Sequence, residues 1–455
     1  MSIKNLNIVI LAAGKGTRMQ SVMPKVLHRL AGKPLLAHVI EAAKQLSPSK
    51  MVVVYGYGGD AVPKAFAQED IAWVEQKEQL GTGHAVLQAV PHLDEEGVTL
   101  ILLGDVPLLN QQSCLSLLEK TDALGLLTVS KQNPAGYGRI VRNAQQQILA
   151  IVEHKDATEV ERAITEVNTG IIAVNNKNLK AWLSKLSNNN AQGEYYLTDI
   201  VAMAVNDGLN VAAEITHDEA SVEGVNSKSD LANLERVYQM RNASSLMQAG
   251  ATLADPNRID VRGELIVGKD VEIDVGCVFE GQVTLADGVK VGPYCVIKDS
   301  SIGVGSVIAA FTHIDQASVD AHCRLGPYAR LRPGAEIAEA AHVGNFVEIK
   351  NSQVGANSKV NHLSYVGDAT IGKHVNIGAG TITCNYDGVN KYRTIIEDDV
   401  FIGSDTQLVA PVVIGEGATI AAGSTITKNA PAGQLTFCRA KDQKSIAGWK
   451  RPVKK

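Results

Sequence analysis

The chain has 455 residues, a net charge of −5 and a pI near 6.1, and its 45% hydrophobic residues are enough to fill the cores of roughly three domains. The acidic balance excludes nucleic acid and anionic lipid as the main partners of its surface. The short N-terminal apolar run reads better as a first strand than as a signal peptide, and with no apolar run of about 18 residues membrane insertion is not expected and a cytoplasmic location is.

The first element is the apolar run Ile8-Val9-Ile10-Leu11, read as a buried strand, and the Gly-rich turn LAAGKGTRM (residues 11–19) follows it directly. A dinucleotide fingerprint needs a third glycine where Met19 stands, so that reading is weak. Free backbone N–H groups with Lys15, Arg18 and Lys25 nearby point instead to a polyphosphate-binding loop. Short apolar runs at Val52–Val54, Thr99–Leu103, Leu126–Val129 and Ile171–Val174 then alternate with stretches of helical period, the pattern of a helix-covered α/β sheet. Ligands of such sheets lie beyond the carboxyl ends of the strands, where the residue-14 loop and the turn LLGDVPLL both fall. Asp105 in that turn suits an oxygen ligand for the Mg²⁺ that accompanies a nucleoside triphosphate. Gln76, Gly81 and Thr82 in EQKEQLGTGH offer groups able to pair with a base edge.

Ser229 precedes Leu231, Leu234 and Tyr238 at helical spacing, which predicts a connecting helix that stops at Gly250. From about residue 260 a six-residue period appears, as in VGKDVE-IDVGCV, IGKHVN-IGAGTI and IGEGAT-IAAGST. An aliphatic residue opens each unit, and such hexads predict a parallel β-helix with three short strands per coil. The period breaks in TCNYDGVNKYRTI (383–395), and a loop that interrupts a solenoid reads as functional. Cys277, Cys295 and Cys323 fill the small fifth slot and read as core, whereas Cys384 lies in the breaking loop and reads as a bystander thiol. The six cysteines form no C-x-x-C pair, so neither a disulfide framework nor a zinc site is expected. A metal-dependent hydratase would need several of His313, His322, His342, His362 and His374 to converge, but His322 fills the fourth hexad slot, His362 the third, and His313 and His342 the sixth, so they do not share one register.

At this point separate motifs in both halves carry a resemblance. LAAGKGTRM…PK, EQLGTGHA, GDVPL, GYGRI, IVEHKD, NTGI, NNNAQGEYYLTDI and EGVN resemble the sugar-nucleotide uridylyltransferases. With the hexads, the whole chain is similar to the bacterial family of bifunctional N-acetylglucosamine-1-phosphate uridylyltransferases and glucosamine-1-phosphate N-acetyltransferases. The fold implied is a Rossmann-like α/β nucleotidyltransferase domain (1–226), a connecting helix (227–250) and a left-handed parallel β-helix of hexapeptide repeats with a C-terminal tail (251–455).

The resemblance implies nucleotide contacts from Leu11, Ala12, Ala13, Gly14, Arg18, Lys25, Gln76, Gly81, Thr82, Leu103, Gly104 and Asp105. It implies sugar contacts from Gly138, Glu153 and Asn168, and Mg²⁺ held by Asp105 and Asn226. Arg18 and Lys25 would be catalytic through charge neutralisation, because the sugar phosphate attacks UTP in line and no protein nucleophile is needed. The family pattern has Tyr before Gly-Asp where this chain has Leu103. The missing phenol is worth about 0.5–1.5 kcal/mol if it made a neutral hydrogen bond, so weaker nucleotide binding is expected.

In the second half the resemblance implies that Arg332 and Lys350 bind the sugar phosphate, with Tyr365, Asn376 and Lys391 on the sugar. Ala379, Asn385, Tyr386, Ser404, Ala422 and Arg439 would meet acetyl-CoA. His362 is the expected general base, because an amine attacks a thioester only as the free base. The basic end beyond Arg439 (Lys441, Lys444, Lys450, Arg451) reads as a solvated tail. A homotrimer packed through the β-helix is implied, as is a product used for peptidoglycan and lipopolysaccharide. The rival readings are a single-activity nucleotidylyltransferase with a structural β-helix and a non-catalytic scaffold. Intact Lys25, Asp105, Asn226 and His362 count against the scaffold, and the NYDG loop with His362 counts against a silent β-helix.

Overall fold

A computed structural model describes residues 5–439, so the basic end from Lys441 to Arg451 lies outside the described residues. The chain divides into two compact units between Tyr238 and Gln239. The division falls inside the long helix Lys228–Gln248. Ser227 caps that helix rather than Ser229. Its Oγ accepts from the Asp230 N–H, and Asp230 accepts from the Ser227 N–H, a reciprocal pair that satisfies two otherwise unpaired donors. Gly250 follows the helix with φ +108°, a conformation that L side chains rarely adopt.

The first unit is built on a nine-stranded sheet. Its strands are β1 (Leu6–Ala12), β2 (Lys50–Tyr55), β3 (Ala72–Glu75), β4 (Val98–Leu103), β5 (Leu124–Ser130), β6 (Arg139–Arg142), β7 (Ile148–Val152), β8 (Glu166–Asn175) and β9 (Val211–Thr216). The main order is β9-β5-β8-β4-β1-β2-β3, with the β6–β7 hairpin branching from β8. All main pairings are parallel except those of β8, which runs antiparallel to β4 and β5. Ile8, Val9 and Ile10 are all buried, as a strand covered on both faces requires. Leu11 pairs with Leu103, so the turns after β1 and β4 leave the sheet side by side.

The second unit is a parallel β-helix. One face is an 11-stranded sheet of mostly two-residue strands, and the other faces form a 16-stranded sheet. Ile273, Val291, Ile308, Leu325, Val343, Val360 and Ile377 stack as one buried ladder, with 17 or 18 residues between successive members. Burying each such side chain contributes about 1.5–3 kcal/mol, and the repeated aliphatic opening of the hexad is its sequence trace. Ile377 pairs next with Ile402, a step of 25 residues, and the extra length is the breaking loop. Buried hydroxyls tie coils together, as where Ser358 Oγ donates to the Gly372 carbonyl at 2.7 Å. Cys277, Cys295 and Cys323 are buried, and burial pushes the first two thiols up to about 11 and about 12. His322 and His374 both have positive φ at corners.

Candidate active sites

In the first unit, the ends of β1 and β4 open onto a cleft of about 560 Å³. Leu11, Ala12, Ala13, Gly14, Lys25, Gln76, Gly81, Thr82, Leu103 and Asp105 line it, whereas Arg18, Gly104, Gly138, Glu153, Asn168 and Asn226 are not among its lining residues. Gly14 is exposed, with open space where a side chain would project, so its backbone can meet a ligand directly. Gly16 has φ +58°, and a Cβ there would stand 2.7 Å from Lys25 Cβ. That close approach holds the Gly loop against Lys25. Arg18 is exposed on the short helix Thr17–Met19.

Lys25 Nζ is paired with Asp105 and donates to Asn226 Oδ1 at 3.2 Å. A carboxylate oxygen and an amide oxygen thus converge on one cation, a donor set suited to a hard divalent ion. The Asn226 N–H donates to Asp230 Oδ2 at 3.0 Å, fixing the Asn226 backbone at the head of the long helix. Gly104, between Leu103 and Asp105, donates its N–H to the Leu11 carbonyl at 2.9 Å and ties the two turns together.

Gln76 is buried, and its amide donates to the Gly81 carbonyl and meets His84 Nδ1, which sets its orientation at the cleft wall. Thr82 begins the helix Thr82–Ala89, and its Oγ accepts from the Leu197 N–H. Gly138, Glu153 and Asn168 gather around the β6–β7 hairpin. The Asn168 N–H donates to the Gly138 carbonyl, and a Cβ on Gly138 would come within 3.4 Å of Glu153 Oε1. Burial pushes the Glu153 carboxyl up, although Thr198 Oγ donates to it at 3.1 Å. Lys15 and Gly16, which belong to the expected polyphosphate loop, also line the cleft, as do Thr17, Gln79 and Glu194, which were not among the expected binding residues. Glu194 sits in NNNAQGEYYLTDI, and that motif was its only available signal.

In the β-helix, the stacking register assembles a column at one corner. Asn345 pairs with His362, Lys359 pairs with Asn376, and Asn376 pairs with Phe401, which pairs with Thr419. Continuing that register places His362, Ala379, Ser404 and Ala422 one above another, a coil apart. The Gly380 N–H donates to the His362 carbonyl, Asp405 N–H to Ala379, and Gly423 N–H to Ser404, as the column requires. Arg439 crowns it, with Nη1 donating to Ser424 Oγ at 2.9 Å. His362 is exposed at the foot. An extended ligand laid along this corner would bring its end to the imidazole.

At another corner, beside Gly334 and Asn351, Arg332 and Lys350 stand on successive coils. Lys391, from the breaking loop, lies close enough that its direct side-chain contact and then its charge lead the causes lowering the Lys350 pKa, and Arg332 adds to the effect. Three cations with few counter-charges make an anion site. Glu348 accepts from Arg332 at 2.7 Å. Tyr365 turns its hydroxyl over Gly367, where a Cβ would stand 2.3 Å from that oxygen.

Asp368 organises the loop. Burial raises its carboxyl, but hydrogen bonds from Asn351 and Asn385 and the charges of Lys391 and Lys350 outweigh this and leave the pKa lowered. The Asn385 amide is therefore turned inward, whereas Tyr386 is exposed and bridges to Lys391. Cys384 is half-buried, and burial raises its thiol. Asp368 was missed because a lone carboxylate in YVGD reads as a coil corner. Its signal was the 17-residue spacing from Asn351 and to Asn385.

The two units together define a nucleotidyltransferase joined to a hexapeptide-repeat acyltransferase. Residues 8–169 match the MobA-like NTP transferase domain, and residues 393–428 match the bacterial transferase hexapeptide model of six repeats. Over 449 residues the chain is 67% identical to the bifunctional protein GlmU of Methylobacillus flagellatus, covering 99% of this chain and 98% of that protein. It is 59% identical to those of Nitrosospira multiformis, over 100% of this chain and 99% of that protein, and of Herminiimonas arsenicoxydans, over 99% of each. The chain belongs to the bifunctional GlmU family, and it is an enzyme with both nucleotidyltransferase and acetyltransferase domains.

Proposed function

We propose that the β-helix acetylates glucosamine 1-phosphate from acetyl-CoA, and that the α/β unit then transfers uridylyl from UTP to N-acetylglucosamine 1-phosphate, releasing pyrophosphate. The observation that carries the reading is the placement of His362 at the foot of its column, and the clustering of Lys391 with Lys350 and Arg332 elsewhere on the same β-helix supports it. The cations take the sugar phosphate, Tyr365 and Asn376 the sugar, and the column from Ala379 to Arg439, with Asn385 and Tyr386, takes acetyl-CoA. The amine nitrogen attacks the thioester carbon while His362 Nε2 accepts its proton. Collapse of the adduct breaks the C–S bond, and the CoA thiolate leaves and is protonated.

In the α/β cleft, an oxygen of the sugar phosphate attacks the α-phosphorus of UTP, and the bond to the bridging oxygen of pyrophosphate breaks. The Gly14 loop, Arg18 and Lys25 neutralise the charge that gathers on the phosphates, Gln76, Gly81 and Thr82 hold the uracil, and Gly138, Glu153 and Asn168 hold the sugar. Asp105 and Asn226 would hold Mg²⁺, which supplies charge neutralisation at the phosphates. UTP and acetyl-CoA are metabolites of the cell interior, which supports a cytoplasmic location. A homotrimer packed through the β-helices belongs to the same reading. Half-exposed Tyr294, Phe311, Tyr328 and Phe346, stacked with centroids 5.0–5.4 Å apart, support a protein partner on that unit.

Mass spectrometry of products formed from glucosamine 1-phosphate, acetyl-CoA, UTP and Mg²⁺ tests the scheme. UDP-N-acetylglucosamine is the expected product. Unchanged glucosamine 1-phosphate would overturn the acetyl-transfer half.

A further inference from the structure

We propose that Asn345 is a positioning residue for acetyl transfer, holding the His362 ring in the tautomer whose Nε2 is free to accept a proton. This rests on the assignment of His362 as the general base. Asn345 ends the strand His342–Asn345 and is the register partner of His362 one coil later. Parallel neighbours lie about 4.8 Å apart, so a side chain directly below the imidazole is within reach. His362 Nδ1 and Asn345 Oδ1 are 3.1 Å apart.

An amide oxygen only accepts, so the ring donates Nδ1–H and its lone pair lies on Nε2. The backbone reinforces the pairing. The Leu363 N–H donates to the Asn345 carbonyl, and Ser364 Oγ donates to the His362 carbonyl at 2.8 Å. Both residues are thus fixed by the same two coils, and the ring inherits its direction from the ladder. Asn345 carries no charge, so it orients the base without the rise in imidazole basicity that a carboxylate would cause. The titratable groups facing the ring from adjoining strands include His342, whose own pKa is lowered by burial and by the charges of Arg324, Lys359 and His362.

The test compares wild type, Asn345→Ala, Asn345→Asp and His362→Ala in acetyl transfer to glucosamine 1-phosphate, across pH and with thermal melting of each. Asn345→Ala lowers kcat by about 10- to 100-fold, as removal of a hydrogen-bond partner behind a working imidazole does, with KM for both substrates within about twofold. Asn345→Asp keeps the acceptor and restores most of the rate. Its carboxylate favours imidazolium, so the acid limb of the kcat profile moves to higher pH. An Asn345→Ala enzyme that melts like wild type and keeps its kcat overturns the inference, as does an Asn345→Asp enzyme with an unmoved limb. Should Asn345→Ala melt early, the Asn345→Asp limb decides alone. Wild type that fails to acetylate, or His362→Ala that acetylates normally, overturns the parent reading instead.

Discussion

The α/β cleft and the β-helix corner gather their residues in opposite ways. The cleft draws Gly14, Gln76, Asp105 and Asn226 from four distant turns, brought together by parallel strand order. The corner draws Asn345, His362, Ala379, Ser404 and Ala422 from one repeating position, brought together by register alone. A substitution in the cleft therefore perturbs a meeting of turns, whereas one in the corner perturbs a single rung of a rigid ladder. Activities housed this way should be separable by mutation.

The sharpest break of that separation comes from His362→Ala. Acetyl transfer falls about 10²–10⁴-fold, the usual worth of general base catalysis, while uridylyl transfer to preacetylated sugar phosphate is unchanged. Asp105→Ala does the reverse. Pyrophosphate release in the presence of Mg²⁺ falls about 10²–10³-fold, as loss of one strong electrostatic group does, and acetylation continues. Paired assays of thioester loss and pyrophosphate release read both variants. Equal damage to both activities in folded protein would show that the sites are not independent.

How far each site is legible in sequence follows from the same contrast. Hexad spacing alone makes the aliphatic ladder readable, and the 25-residue step from Ile377 to Ile402 marks the loop that carries Lys391. Spacing lines up polar residues coil over coil, but does not announce which of them hold one another. Asn345 and Asp368 each stand one coil before a residue they hold, and a short polar residue at a corner is common enough to be passed over. In the α/β unit the motifs identified the lining of the cleft, since each Gly-rich or acidic turn ends a recognisable strand. The meeting of Asn226 with Lys25, across 201 residues, depends on tertiary folding and has no local trace.

Asp368→Ala probes the other corner more gently. Asn351 and Asn385 lose a buried acceptor, which costs about 1–3 kcal/mol in stability, and the loop bearing Tyr386 and Lys391 loosens. Because the folded-state pKa of Asp368 is depressed, its contribution is fully present above the ordinary value of 3.8 and is lost as pH falls through the lower folded value. Urea titrations between neutral pH and about pH 3 should show wild type losing this increment and Asp368→Asn lacking that pH dependence. An unchanged slope in Asp368→Asn would remove Asp368 from the account of the loop.

Leu103→Tyr asks how finely the cleft is tuned, and its effect is the smallest. Leu103 Cδ1 lies 2.7 Å from where a Cβ of Gly170 would stand, and Gly170 has φ +81°, so the missing side chain leaves room beside position 103. A phenol there keeps an apolar ring against Gly170 and sends its hydroxyl toward the cleft. One neutral hydrogen bond is worth about 0.5–1.5 kcal/mol, which lowers KM for UTP roughly 2- to 12-fold. A bond made equally in the ground and transition states leaves kcat unchanged. Initial rates of pyrophosphate release at varied UTP separate the two parameters. A rise in kcat with constant KM would mean that position 103 meets the reacting phosphates rather than the resting nucleotide, and the assignment of that wall to uridine would have to move.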